Sequence, residues 1–123
     1  MSGYARPASL DDALALLEGD GAVPFGGGTD LAGQVDRGIR SPAQLIDLRD
    51  AGLGAIEEHA GGIRIGASVT LSDLAASPLV EPYAAVRTAA SLAASPLLRN
   101  VGTVGGNLCQ HTRCWYYRGE EWH

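Results

Sequence analysis

The 123-residue chain contains no lysine; all nine of its basic residues are arginine. That excludes a P-loop nucleotide site, whose phosphates need a lysine after the glycines, and any Schiff-base chemistry on this chain. No apolar run approaches the ~18 residues that cross a bilayer, and the N-terminus lacks the basic-then-apolar order of a signal peptide. The expectation is a soluble, cytoplasmic protein without a membrane span. Aromatic residues are scarce at 6% and do not interleave with the arginines, so nucleic-acid binding is not expected. Two cysteines in a chain of this type do not form a disulfide framework.

What is present is enough apolar sequence, 46%, to bury a core in one domain or in two small lobes sharing a cleft. The net charge of −5 is unevenly spread. Residues 1–81 hold twelve acids and five arginines, whereas residues 82–119 hold Arg87, Arg99, Arg113 and Arg118 and no acid at all. Such a basic stretch either faces a phosphate or an acidic partner, or is ordinary solvated surface.

Residues 4–6 read as a strand closed by Pro7. Ser9 and Asp12 form a capping box, followed by Leu10, Ala13, Leu14 and Leu17 at helical spacing up to Gly19. Residues 22–25 read as a buried strand running into Gly26-Gly27-Gly28-Thr29-Asp30. A second helix starts at Thr29 or Asp30, carries Leu31 and Val35 inward and ends at Gly38, and residues 44–48 form the next strand. Residues 1–54 thus read as a βαβαβ unit with a parallel sheet. Residues 55–59 and 63–67 read as two strands joined at Gly61-Gly62, and Thr70 and Asp73 form a second capping box before a helix stopped by Pro78. Pro82 opens a longer helix with Tyr83, Val86, Ala89, Ala90 and Ala93 on one face. Residues 95–123 read as loop. The fold class is α+β, a small parallel α/β lobe (1–54) followed by the start of a second α+β lobe (55–123).

The glycines at 26–28 lie between a strand and a helix start. Without Cβ atoms the backbone can approach a ligand closely, and its free N–H groups with the helix dipole suit a diphosphate. Leu31 stands where the dinucleotide fingerprint G-x-G-x-x-G has its third glycine, and a plain tight turn is the alternative. Thr103-Val104-Gly105-Gly106-Asn107 is a second glycine turn, inside the acid-free stretch. Cys109, His111, Cys114 and His123 are off the usual zinc spacing. Cys109 reads as a small buried apolar residue. Cys114 stands between Arg113 and Trp115-Tyr116-Tyr117-Arg118, where cations would stabilise a thiolate able to ligate a metal cluster. No carboxylate pair or activated nucleophile calls for a catalytic assignment.

The order Pro24-Phe25-Gly26-Gly27-Gly28-Thr29-Asp30-Leu31, then Leu98-Arg99-Asn100-Val101-Gly102-Thr103-Val104-Gly105-Gly106-Asn107-Leu108, resembles the FAD-binding subunit of the molybdenum-hydroxylase family. That family includes the xanthine dehydrogenase, carbon monoxide dehydrogenase and aldehyde oxidoreductase flavoproteins. Ile63-Arg64-Ile65-Gly66-Ala67 and Thr70-Leu71-Ser72-Asp73-Leu74 fit as well. The resemblance implies that Val23, Pro24, Phe25, Gly26, Gly27, Gly28, Thr29, Asp30 and Leu31 wrap the FAD diphosphate, while Thr103, Gly106 and Asn107 hold the flavin side. It implies an oxidoreductase subunit relaying electrons between iron–sulfur centres and an external acceptor, beside a molybdenum-cofactor subunit and a [2Fe–2S] subunit. Residues 110–118 look like the branch whose flavin subunit also carries a [4Fe–4S] cluster, with Cys114 as first ligand. Family members continue for well over a hundred further residues, and one thiolate cannot hold a cluster that needs four ligands. The chain is therefore expected to be a fragment or a truncation, to bind FAD weakly or not at all alone, and to self-associate or meet a partner through an apolar edge around Val101, Leu108, Trp115 and Tyr116. A truncated module without cofactor, and a small zinc protein using Cys109, His111, Cys114 and His123, are the alternatives.

Overall fold

The computed structural model describes residues 3–118. Strand β1 (Gly3–Ala5), helix α1 (Leu10–Leu17), strand β2 (Ala22–Phe25), helix α2 (Leu31–Asp36) and strand β3 (Gln44–Asp47) alternate as the sequence predicts. The three strands form one parallel sheet in the order β1-β3-β2, so β3 is central: Leu45 pairs with both Tyr4 and Val23, and Ile46 with Ala5 and Pro24. Pro24 can occupy β2 because that strand is an edge of the sheet. Ser9 caps α1, accepting from the Asp12 N–H at 3.1 Å and donating its hydroxyl to the Asp12 carboxylate at 2.6 Å. Ala13, Ile46 and Ala51 form the buried cluster of this sheet, flanked by Leu16, Leu17, Leu48 and Leu53. Leu10 and Leu14, read as part of the inward face, are instead exposed; α1 meets the sheet through Ala13 and Leu17, and the wider apolar stripe finds no cover.

The second half begins with an antiparallel hairpin, β4 (Ile56–His59) and β5 (Gly62–Ile65), which turns at Gly61. Helix α3 (Leu71–Ala76) is capped by Thr70 as Ser9 caps α1, and a 3₁₀ turn (Pro78–Val80) and helix α4 (Ala84–Leu92) follow. Val69, Leu74, Val80 and Ala90 form a second buried cluster, with Ile56, Ile63, Ile65 and Val104 packed on it. The α4 face reading is corrected: Ala90 is buried, but Tyr83, Val86 and Ala89 are exposed.

The loop reading of 95–123 is also corrected. Its described part contains three short helices, α5 (Pro96–Arg99), α6 (Val104–Leu108) and α7 (Trp115–Arg118). Ser95 caps α5, with Pro96 at the first helical position, and Thr103 caps α6 by accepting from the Gly106 N–H at 3.1 Å. Between α4 and α5, Ala94 adopts φ +50°, a conformation costly for a residue with a Cβ, and Arg99 donates to the carbonyls of Ala93 and Ala94 there. The two halves are joined where Ser68 bonds Leu53 and Leu48, its N–H to the Leu53 carbonyl at 2.9 Å and its hydroxyl to the Leu48 carbonyl at 3.0 Å. No described helix is long and apolar enough to cross a membrane.

Candidate functional site

The chain leaves the carboxyl end of β2 at Phe25 and turns through 26–30 before α2 begins at Leu31. Gly28 takes φ +73°, open to glycine, and sits on the Phe25 ring: a Cβ there would lie 2.9 Å from the ring tip. Among the described residues, nothing accepts a hydrogen bond from the backbone N–H groups of Gly26, Gly27, Gly28, Thr29 or Asp30. Apart from Thr29, which is exposed, these residues are half-buried, and half-buried amides without an acceptor suit an anion. Helix α2 has only six residues, so its dipole adds less than the sequence reading assumed; the loop amides carry the site.

The second glycine turn is built differently. The N–H groups of Val104, Gly105, Gly106 and Asn107 are all used within the fold, on Val69, Ala67, the Thr103 hydroxyl and the Thr103 carbonyl. This turn therefore offers surface rather than free donors. It presses against the first turn so closely that a Cβ on Gly27 would lie 1.8 Å from the Val101 carbonyl oxygen, and one on Gly26 2.7 Å from the Thr103 hydroxyl. Gly27 does not have a left-handed φ. Its lack of a side chain serves contact between the two turns.

Together the turns bound a cleft of about 160 Å³, lined by Val23, Pro24, the loop 26–31, Thr103 and Gly106, and also by Gln34, Arg40, Cys109, Gln110 and His111. Phe25 and Asn107 do not line it. Phe25 lies beneath Gly28, and Asn107 is exposed. A wider depression of about 440 Å³ beside the β4–β5 turn is lined by Glu58, His59 and Tyr83 among others, with an acid and no arginine in the lining itself.

The Asp30 carboxylate takes its donors from outside the loop amides. It accepts from Gln34 Nε2 at 2.7 Å, from the His111 N–H at 3.0 Å and from an Arg118 terminal nitrogen at 2.8 Å, with Arg113 Nε at 3.7 Å. Burial would raise its pKa, but the Arg118 bond, the His111 amide and the two guanidinium charges outweigh that and hold it below the ordinary carboxylate value. Arg113 also donates to the Thr29 carbonyl, and Arg40 lies 3.1 Å from His111 Nε2. Arg40, Gln34 and His111 were not read from the sequence as site residues; the acid-free arginine stretch facing a lone acid in the glycine loop was the available signal.

Cys109 is exposed beside the cleft, which corrects its reading as a buried apolar residue: α6 ends there and turns its last residues to solvent. Cys114 is exposed as well. Among the described residues no three His, Cys, Asp or Glu side chains come together as metal ligands, and His123 and the Trp115 side chain lie outside them.

A parallel strand–glycine turn–helix, braced by a second glycine turn, leaves a cleft edged by backbone amides without acceptors among the described residues. The family described as the FAD binding domain in molybdopterin dehydrogenase matches residues 1–114, and the chain belongs to it. It is 46% identical over 107 residues to the aldehyde oxidoreductase FAD-binding subunit PaoB of Escherichia coli K12, covering 85% of this chain and 34% of that one. It is 39% identical over 108 residues to the carbon monoxide dehydrogenase medium chain of Afipia carboxidovorans, covering 85% and 38%. Among solved structures, quinoline 2-oxidoreductase from Pseudomonas putida 86 superposes with a TM-score of 0.83 at 30% identity, over 88% of this chain and 39% of that one. The chain spans little more than a third of the length of these relatives.

Proposed function

We propose that the cleft holds the diphosphate of FAD, with the amides of 26–30 as donors and Arg40 as the cation in its lining. Thr103 and Gly106 contribute the wall from the second turn, and residues 1–54 and 55–123 act as two lobes closing on the cofactor. FAD, when bound, supplies the redox chemistry; the chain's part is to position it and set its surroundings. The observation that carries this reading is the run of five unused amides at the end of β2, braced by Val101 and Thr103.

The cleft of about 160 Å³ fits the diphosphate end and falls below the ~300–1,000 Å³ of pockets that enclose a whole ligand. The chain alone should accordingly bind FAD more weakly than micromolar, and be inactive as an oxidoreductase by itself. In the longer subunits of its relatives, the same cleft would serve electron relay between iron–sulfur centres and an external acceptor, in an assembly with molybdenum-cofactor and [2Fe–2S] subunits. A [4Fe–4S] cluster is not accommodated by the described residues, whose two exposed thiols, Cys109 and Cys114, fall short of the four ligands required and are not gathered with other metal-ligating side chains. Cys114 is proposed only as a single ligand to such a cluster, in a longer subunit that supplies the others.

Fluorescence titration with FAD tests the reading. Weak, saturable quenching displaced by ADP is expected, because both molecules share the diphosphate. Absence of saturation at millimolar FAD, or binding that ADP does not displace, would overturn it.

A further inference from the structure

We infer that residues 109–118 form a strap latched onto the glycine loop through Asp30, and that Arg118 is the positioning residue that lets this loop accept a diphosphate. The second clause rests on the proposed FAD reading; the first does not.

An ionised carboxylate at residue 30 adjoins the five unused amides, where it would repel an incoming diphosphate or turn inward and take the amides itself. The fold prevents both. Arg118 is nearly buried, with 12% of its side chain exposed, and Asp30 likewise. From that position one terminal nitrogen of Arg118 reaches Asp30 Oδ1 at 2.8 Å and the His111 carbonyl at 3.0 Å, while Nε donates to the Thr112 carbonyl at 2.8 Å. A single side chain thus fastens the strap to itself and to the loop. The second carboxylate oxygen is held by the His111 N–H and Gln34. Both carboxylate oxygens of Asp30 are thus engaged by donors other than the loop amides, with Arg113 Nε also 3.7 Å from Oδ1.

The sources of these donors are informative. His111, Arg113 and Arg118 stand more than eighty positions beyond Asp30, in the one long stretch of the chain with no acid. That stretch cancels the loop's own negative charge, and Arg40, which makes no ion pair among the described residues, lines the cleft. Arg118 does not line the cleft, so its effect on a ligand passes through Asp30.

The test uses Arg118→Gln, Asp30→Asn and the double variant, with Arg118→Lys as the conservative control, each checked for helicity by circular dichroism. Hydrogen exchange at the His111 amide and tryptic cleavage after the exposed Arg113 report the latch without any ligand. Both should accelerate about tenfold or more in Asp30→Asn and in Arg118→Gln, the scale of a lost charge-assisted hydrogen bond, and less in Arg118→Lys. Unchanged exchange and cleavage in Asp30→Asn would overturn the latch. ADP and FAD affinities report the second clause. Arg118→Gln should weaken both about tenfold, and adding Asp30→Asn should restore them to within about threefold of the parent, because the repelling charge is gone. A double variant as weak as Arg118→Gln would overturn the positioning role. If the parent itself bound neither nucleotide, the FAD reading and with it the positioning role would fail, while exchange at His111 would still decide the latch.

Discussion

Gly27→Ala isolates the junction between the two glycine turns. Gly27 does not occupy the left-handed region, so a positive φ does not bar an alanine there and the steric clash dominates. The added Cβ would lie 1.8 Å from the Val101 carbonyl oxygen, 2.6 Å from its carbon and 3.1 Å from the Gly102 nitrogen. All three are backbone atoms, so no rotamer change relieves the clash. One turn must retreat by more than ~1 Å to reach ordinary packing distance. The bonds that fix the second turn lie in the path of that retreat: Gly102 N–H to the Leu98 carbonyl at 2.7 Å and Leu71 N–H to the Gly102 carbonyl at 2.9 Å. At ~0.5–1.5 kcal/mol each, losing both with some residual strain costs about 2–3 kcal/mol. With a urea slope of ~1–2 kcal/mol/M for a chain of this size, the midpoint should fall by about 1–3 M. The cleft opens in the same step, so FAD quenching should vanish. Gly33→Ala is the matched control: it lies within α2 with nothing within 4 Å of its added Cβ, and should raise stability by up to ~1 kcal/mol with binding unchanged. An unchanged urea midpoint and retained binding in Gly27→Ala would refute the reasoning.

Asp47 is fully buried, accepting from the Tyr4 hydroxyl at 2.5 Å and from Arg49 through its backbone and guanidinium; burial opposes its ionisation, yet these partners hold its pKa at about 2. Because the folded value lies below the unfolded one, its contribution of ~2 kcal/mol is complete above about pH 4 and lost as pH falls toward 2; urea midpoints for the parent and Asp47→Asn should converge over that range, and parallel curves would refute this. Ala94→Gly should raise the melting temperature modestly, since relief of ~1–2 kcal/mol at φ +50° outweighs the ~0.5–1 kcal/mol entropic cost of glycine; a lowered value would count against strain there. Both thiols should react with a disulfide reagent in the native chain as fast as in urea, and a protected Cys109 would contradict its exposure. Leu97→Glu with Leu108→Glu should suppress concentration-dependent association in sedimentation without lowering stability, since each side chain is 79% exposed; unchanged association would place the sticky surface elsewhere.

The alternation of strands and helices in residues 3–47 was legible because each signal is local. Ser9 with Asp12 starts a helix, Gly26 to Gly28 break one strand from the next helix, and short apolar segments, Ala22–Phe25 above all, mark the strands. The hairpin at Gly61 and the cap at Thr70 are local in the same sense. Helices α5, α6 and α7 have four or five residues, too few for a 3.6-residue period to show, which is why the region read as loop. Their caps were nevertheless in view: Ser95 before Pro96, and Thr103 three residues before Gly106. Periodicity also names the residues that share a face without saying whether anything covers it. Leu10, Leu14 and Val86 lie on apolar stripes and still face solvent.

The cleft was legible only in part, for a reason that concerns partners. A glycine in a turn admits two explanations, positive φ and close approach, and the sequence distinguishes them only if the approaching atom is known. For Gly28 the atom is the neighbouring Phe25 ring; for Gly27 it is the Val101 carbonyl, seventy-four positions away. The charge asymmetry has the same structure. An excess of arginine in residues 82–119 pointed to a phosphate or an acidic partner, and the fold supplies the acidic partner from within, as Asp30. Over distances beyond ~8 Å the remaining acids of a chain at −5 are largely screened, so an anion at the cleft responds to its near neighbours. Those neighbours are one carboxylate, engaged by Arg113 and Arg118, and Arg40. An acidic protein can therefore present a locally cationic cleft, provided residues 109–118 stay where Asp30 holds them.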